Sequence, residues 1–188
     1  MAIARARSHI RAMTTIPNPP ATQAPAAPPT LYDWAGGMPA FERLTTLFYA
    51  RVLEDPMLRP VFEHMSPEHP RHVARFLAEV FRGPPIYSER HGGHASMLSH
   101  HLARRLSQPQ RARWVQLLCG AADDAGLPDD PEFRSAFVAY LEWGSRLAVL
   151  NSQEGAEPVL DQPMPRWGWG EAGGPYVPAP AAPDVGSV

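Results

Sequence analysis

The chain has 188 residues, 44% of them hydrophobic, and a formal net charge of −2 at pH 7. That is enough apolar material for one ordinary domain with tails, and the charge gives no electrostatic case for a nucleic-acid surface. Cys119 is the only cysteine, which excludes an intramolecular disulfide and a cysteine-built zinc or iron–sulfur site. A lone thiol fits a reducing cytoplasm, the expected location, and no apolar run approaches the roughly 18 residues that cross a bilayer.

Residues 1–30 read as a disordered arm. MAIARARSHIRAM is rich in Arg and Ala, has no acid, and lacks the apolar stretch of a secretory signal. PNPPATQAPAAPPT, residues 17–30, is too rich in Pro and Ala to build a core. The domain is expected over 31–153. Residues 154–188 form a Pro- and Gly-rich C-terminal tail, also expected to be disordered, with the alternative that Trp167 and Trp169 dock it on the domain.

The domain reads as all-α, because no segment alternates in the strand manner with β-branched residues. Gly36-Gly37 makes a turn, and Phe41, Leu44, Phe48, Val52 and Leu53 recur at helical spacing over Pro39 to Glu54. Asp55-Pro56 ends that helix, and a short one is expected over Met57 to Phe62. Ser66-Pro67 caps a third, Pro67 to Arg82, whose apolar face is Val73, Phe76, Leu77 and Val80. Gly83-Pro84-Pro85 stops it. A loop through Gly92-Gly93 and a short helix around Met97 to Arg104 follow. Ser107 with Gln110 forms a capping box for a long helix reaching about Ala125. Asp130-Pro131 opens the last helix, which closes at Asn151 or Ser152. Four substantial helices in two pairs are expected, with a polar, His-rich stretch between the second and third.

Seven of the eight histidines fall between residues 64 and 101. His69 with His72, and His91 with His94, are spaced to share a metal, but there is neither an HExxH motif nor a Cys/His quartet. His100 and His101 point about 100° apart on a helix, so one faces inward. His101 is the better candidate, flanked by Met97 and Leu106, with His100 nearer solvent. A buried neutral imidazole facing an apolar gap is a suitable axial ligand for haem iron. Hydrogen-bond donors for a small gas are then available from Tyr49 O–H, Trp114 N–H and His69, with Val73 as an apolar wall. Taken singly, Tyr49 and Trp114 also suit an ordinary core.

LYDWAGGMPAFERLTTLFYARVLEDPMLRPVF, HVARFLAEVFRGP, YSERHGGH, MLSHHL and QRARW follow one another in a distinctive order and spacing. Over Leu31 to Ser152 the sequence resembles the truncated haemoglobins, most closely group II. The resemblance implies a globin-like two-over-two helical sandwich holding one haem b. It implies that His101 is the proximal iron ligand, with Tyr49, Trp114 and His69 on the distal side. It puts Phe62 and Val73 against the haem and Tyr87 and His100 near its propionates; Phe76, Met97 and Leu106, with His72, are further candidates for the haem pocket. Three features depart from the family pattern. Arg82-Gly83 stands where Gly-Gly is usual, His100 stands where Arg is usual, and the segment before the third helix is slightly short, which leaves His72 as the alternative to His69.

The implied function is reversible, high-affinity binding of O2 and of related gases such as CO and NO. Two good donors would slow O2 release by on the order of 10²–10⁴. The alternative is a haem enzyme that removes NO or peroxide, which requires an external reductase. A third reading, a helical interaction module whose Pro-rich tails and tryptophans bind a partner, predicts a colourless protein.

Overall fold

The computed structural model describes residues 27–170. The expectations for residues 1–26 and 171–188 lie outside these residues. Among the described residues the secondary structure is helical throughout, and no helix is long and apolar enough to cross a membrane.

Thr30 starts the domain by capping α1 (Leu31–Trp34), its hydroxyl accepting from Asp33 N at 3.0 Å. Gly36, at φ 99°, turns the chain into α2 (Gly37–Glu54), a conformation that costs a glycine little. Of the expected apolar stripe of α2, Phe41, Leu44, Phe48 and Val52 have no exposed surface and form the core, whereas Leu53 is exposed. Each such burial contributes about 1.5–3 kcal/mol. Asp55 then accepts from the backbone N–H groups of Met57 and Leu58, and α3 (Arg59–Phe62) is a single turn.

α4 (His69–Val80) starts two residues later than the Ser66-Pro67 cap predicts. Ser66 Oγ does accept from Glu68 N at 3.1 Å, but it closes a turn rather than opening the helix. His69 therefore sits in the first turn of α4. At the far end Arg82 adopts φ 71°, and Gly83 lies so close to Tyr32 and the Ala78 carbonyl that a Cβ there would meet them at 2.7 and 2.8 Å. The chain thus keeps the tight bend that the resemblance implies, with one glycine and one left-handed arginine.

The expected loop after Pro85 is largely helical. α5 (Ile86–His91) and α6 (Gly93–His101) are separated only by Gly92, at φ 79°. Glu79 stabilises the start of α5 by accepting from Ser88 N at 2.9 Å and from its hydroxyl. α6 ends at His101 rather than Arg104, because Leu102 is extended and Ala103 and Arg105 are left-handed at φ 58° and 51°.

α7 (Gln108–Asp124) opens on the predicted capping box, with Ser107 N donating to Gln110 Oε1 at 2.9 Å and Ser107 Oγ accepting from Gln110 N at 3.3 Å. α8 (Pro131–Asn151) is capped by Asp130. α2 packs on α4, α7 packs on α8, and α2 against α7 joins the two pairs. This is the two-over-two helical sandwich. Phe81 ties the pairs together, stacking on Phe41 at 5.9 Å and Phe137 at 5.7 Å and meeting Tyr140 edge-on at 5.3 Å.

The tail leaves α8 at Ser152, and residues 154–170 lie against the domain as a non-helical strap. Disorder is therefore the wrong expectation for this stretch, and docking by the two tryptophans is the right one. Trp167 N donates to Val80 O at 2.8 Å, and its ring packs on Tyr140 and Trp143. Trp169 Nε1 donates to Pro29 O at 2.8 Å and its ring meets Trp34 edge-on at 5.8 Å.

Candidate functional site

His101 closes α6, where its Nδ1 lies 2.9 Å from the Met97 carbonyl. A carbonyl only accepts, so Nδ1 carries the proton and the neutral ring presents the Nε2 lone pair. Burial lowers its pKa below the usual histidine range, outweighing the Met97 contact, and His100 and Arg104 lower it further. The ring is thus held neutral, half-buried and oriented by its own backbone, as an axial metal ligand requires. His100 is exposed, as expected, and its Nδ1 lies 2.6 Å from the Ser96 carbonyl.

A continuous aromatic wall stands on α2, α3, α4 and α7. Tyr49 is buried, and its hydroxyl lies 2.9 Å from His69 Nε2. Its ring meets Phe62 edge-on at 5.7 Å, His69 at 4.9 Å and Phe48 at 4.8 Å. Phe48 in turn meets Trp114 edge-on at 5.3 Å. Tyr49, Phe62, His69 and Trp114 are therefore brought into one cluster, with Phe48 as the joint. Among the described residues no group accepts a hydrogen bond from Trp114 Nε1, so that donor is free.

Electrostatics bias this cluster toward neutral groups. Burial raises the Tyr49 phenol well above its ordinary pKa. Burial, and then the positive forms of His72, His100, His101 and Arg104, lower the His69 pKa to about 4. His69 and His101 sit on helices with different packing partners, α4 on α2 and α5, and α6 on α5 and α8. They are nevertheless close enough to repel each other's charged forms.

The remaining candidates divide. Val73 and Met97 are half-buried against the core edge, and Leu106 is half-buried with its N–H donated to Ser152 Oγ at 2.9 Å. His72 does not join Tyr49. Its ring lies 4.3 Å from His91, which accepts from Arg75 Nη1 at 3.0 Å. Phe76 and Tyr87 extend this second group, Tyr87 meeting Phe76 at 5.2 Å and His91 at 5.4 Å. His69, and not His72, is therefore the histidine beside Tyr49.

Sequence reasoning overlooked four residues. Phe48 reads as core, and only the fold makes it the link between Tyr49 and Trp114. Arg75 follows His72 by one helical turn, a spacing that could have paired them. His91 was paired in the sequence with His94, three residues on, whereas the fold sets it against His72 and Arg75. Arg104 lies beyond the end of α6, where its Nε donates to the His100 carbonyl at 3.3 Å, and its charge reaches both His69 and His101.

The residues present fit a haem. They provide one oriented, neutral imidazole with a bare Nε2, half-open apolar side chains at Phe62, Val73 and Met97, a free indole donor, and cationic groups beside the proximal helix.

Comparison with known proteins agrees with this geometry. The bacterial-like globin profile matches residues 30–143. The chain is 31% identical over 117 residues to the group 2 truncated hemoglobin YjbI of Bacillus subtilis, an alignment covering 62% of this chain and 86% of that protein. It superposes on the group II truncated hemoglobin of Bacillus anthracis with a TM-score of 0.60 at 27% identity, over 69% of this chain and 98% of that one. It superposes on a truncated oxygen-avid haemoglobin from Bacillus subtilis with a TM-score of 0.58 at 29% identity, over 64% of this chain and 99% of that one. With fold, site and sequence in agreement, the chain belongs to the bacterial-like globin family, and its likeness is to the group II truncated haemoglobins.

Proposed function

We propose that this globin binds O2 reversibly and releases it slowly, with His101 as the proximal ligand and Tyr49, Trp114 and His69 on the gas side. The cofactor of the family is one haem b per chain, and when bound it supplies an open coordination position for a diatomic gas. The observation that supports the reading is the meeting of Tyr49, Phe62 and His69 in one aromatic cluster, together with a neutral His101 on α6 whose Nδ1 is held by the Met97 carbonyl and whose Nε2 is bare.

The chain's own residues then divide the work. Met97 fixes the His101 tautomer and aims the ring. Phe62, Val73 and Met97 exclude water from the haem faces. Trp114 offers its free N–H to the gas. The Tyr49 contribution depends on the His69 tautomer. When Nε2 carries the His69 proton, it donates to the phenol oxygen and leaves the Tyr49 O–H free for the gas. In the other tautomer the phenol hydrogen is spent on His69. A hydrogen bond from either donor to a ligand with charge contributes about 1.5–3 kcal/mol. The oxygen-avid relative from Bacillus subtilis supports the affinity part of this reading.

A second reading uses the same pocket as an enzyme for NO or peroxide, with an external reductase. The His69–Tyr49 hydrogen bond favours it, because it connects a buried phenol to a half-exposed imidazole, a route for protons from solvent. CO binding would follow from either reading.

The purified protein, loaded with haem, should show a Soret band and a stable ferrous–gas spectrum under O2. A colourless protein that takes up no haem would overturn both readings. Mixing the O2 form with NO in a stopped-flow instrument, and then following turnover with an added reductase, separates them.

A further inference from the structure

The proximal helix is weakly held by its own contacts. The buried side chains of α6 are His94 and Leu98, and left-handed residues flank it on both sides, Gly92 before it and Ala103 and Arg105 after it. Yet this nine-residue helix carries the ligand on its last residue.

Beyond its packing on α5 and α8, it is held by the C-terminal segment. Directly after His101, the loop 102–106 is tied to the root of the strap. Arg105 N donates to the Ser152 carbonyl at 2.7 Å, and Leu106 N donates to Ser152 Oγ at 2.9 Å. Gln153 Nε2 donates to the Leu106 carbonyl at 3.1 Å, and Arg105 pairs with Glu154. At the other end of α6, burial lowers the His94 pKa, and the backbone of Gln162 in the strap lies beside the ring and partly offsets that. His94 is only 6% exposed, and its Nδ1 has no hydrogen-bond partner. Farther along, Trp167 and Trp169 pin the strap to Val80, Tyr140, Trp34 and Pro29.

We propose that residues 152–170 form a bracket that grips α6 at both ends and sets the seating of His101, with His94 as the positioning residue at the strap contact. This rests on the haem reading only in taking His101 as the ligand. The bracket lies beyond the family match, which ends at residue 143. The superposed solved structures likewise use nearly their whole length while covering only about two thirds of this chain. The bracket thus falls outside the residues that the family profile matches. The grip is short in sequence on the loop side and long on the His94 side, so releasing the tryptophans should free the His94 end first.

The test uses two full-length variants, Trp167→Ala/Trp169→Ala, which alters nothing on α6, and His94→Leu, which keeps the buried volume but removes the polar contact. Hydrogen–deuterium exchange is read on the protein as purified. In both variants the amides of residues 93–101 should exchange about tenfold faster or more, which corresponds to a local opening made easier by one decade. In the haem-loaded ferrous form, the iron–histidine stretching band should shift and broaden, while the double variant leaves α2 and α7 protected. A strap that is only a cover would raise exchange at residues 29–34, 80–83, 140–143 and in the strap itself, with α6 and the Raman band as in the wild type. That result overturns the proposal. Failure of the haem reading shows differently, as a missing Soret band in the wild type, and leaves the exchange result on α6 interpretable by itself.

Discussion

The proposed gas side and the proposed proximal side of this site are built by different means. The gas side stands on α2 and α7, two long helices whose inner faces include the fully buried Phe48 and Leu118. Tyr49, Phe62, His69 and Trp114 form edge-to-face contacts through Phe48, and each ring is positioned by another ring. The proximal side stands on a nine-residue helix with two buried side chains and left-handed residues beside both ends. Its ligand is oriented by one carbonyl of its own helix. A pocket wall can therefore be preorganised by the core, whereas an arm that carries a ligand needs outside support. Close packing makes the first rigid, and low local burial leaves the second easy to open.

The largest effect should come from the proximal side. His101→Ala should lower haem retention by more than about a hundredfold while leaving the helical circular dichroism close to wild type, since outer-shell partners alone are worth 10–100-fold at metal sites. A variant that kept a normal five-coordinate spectrum would reassign the ligand to His100 or His94. On the gas side, Tyr49→Phe with Trp114→Phe should speed O2 dissociation by on the order of 10²–10⁴, measured by flow mixing with a scavenger. Equal rates in wild type and double variant would mean that the aromatic wall packs the pocket without touching the gas.

A pH experiment sharpens the comparison further. The folded His69 pKa is about 4, below the usual value of 6.5, so the fold prefers the neutral ring. The unfolded chain takes up a proton as pH falls below 6.5, and the folded chain does not until about pH 4. The contribution is therefore fully present above pH 6.5 and is lost progressively between 6.5 and 4. Discounted for a partly open site, the loss between pH 7 and pH 5 is on the order of 1 kcal/mol. Urea unfolding of His69→Gln should show that much less pH dependence than the wild type over this interval, and identical slopes would contradict it.

The smallest effect concerns the joint between the regions. Ser107 caps α7 immediately after the proximal loop, and Ser107→Ala should cost about 1 kcal/mol in the same unfolding assay. If the cap also stiffens the loop, O2 release will change as well. If it serves α7 alone, it will not.

How much of this was legible in the sequence follows from how local each cause is. The α7 capping box, the Asp130 cap and the stripe on α2 are set by residues within one or two helical turns, so spacing reveals them. Which of His100 and His101 turns inward was also local, because a helix separates adjacent side chains by 100°. The late start of α4 was not, since Ser66 could cap a helix or close a turn, and the sequence left both His69 and His72 as candidates. Packing resolved them by pairing His69 with Tyr49 and His72 with His91.

The sequence by itself determined an all-helical domain, its helix faces, and a set of histidines and aromatics suited to one haem, because those depend on periodicity, caps and side-chain chemistry. Only the tertiary structure decided that Phe48 links Tyr49 to Trp114, that Arg104 influences both imidazoles, and that the C-terminal tail turns back as a strap. Those contacts join residues far apart in the chain. Their energy comes from rings and carbonyls that meet only once α2, α4, α7 and α8 have packed.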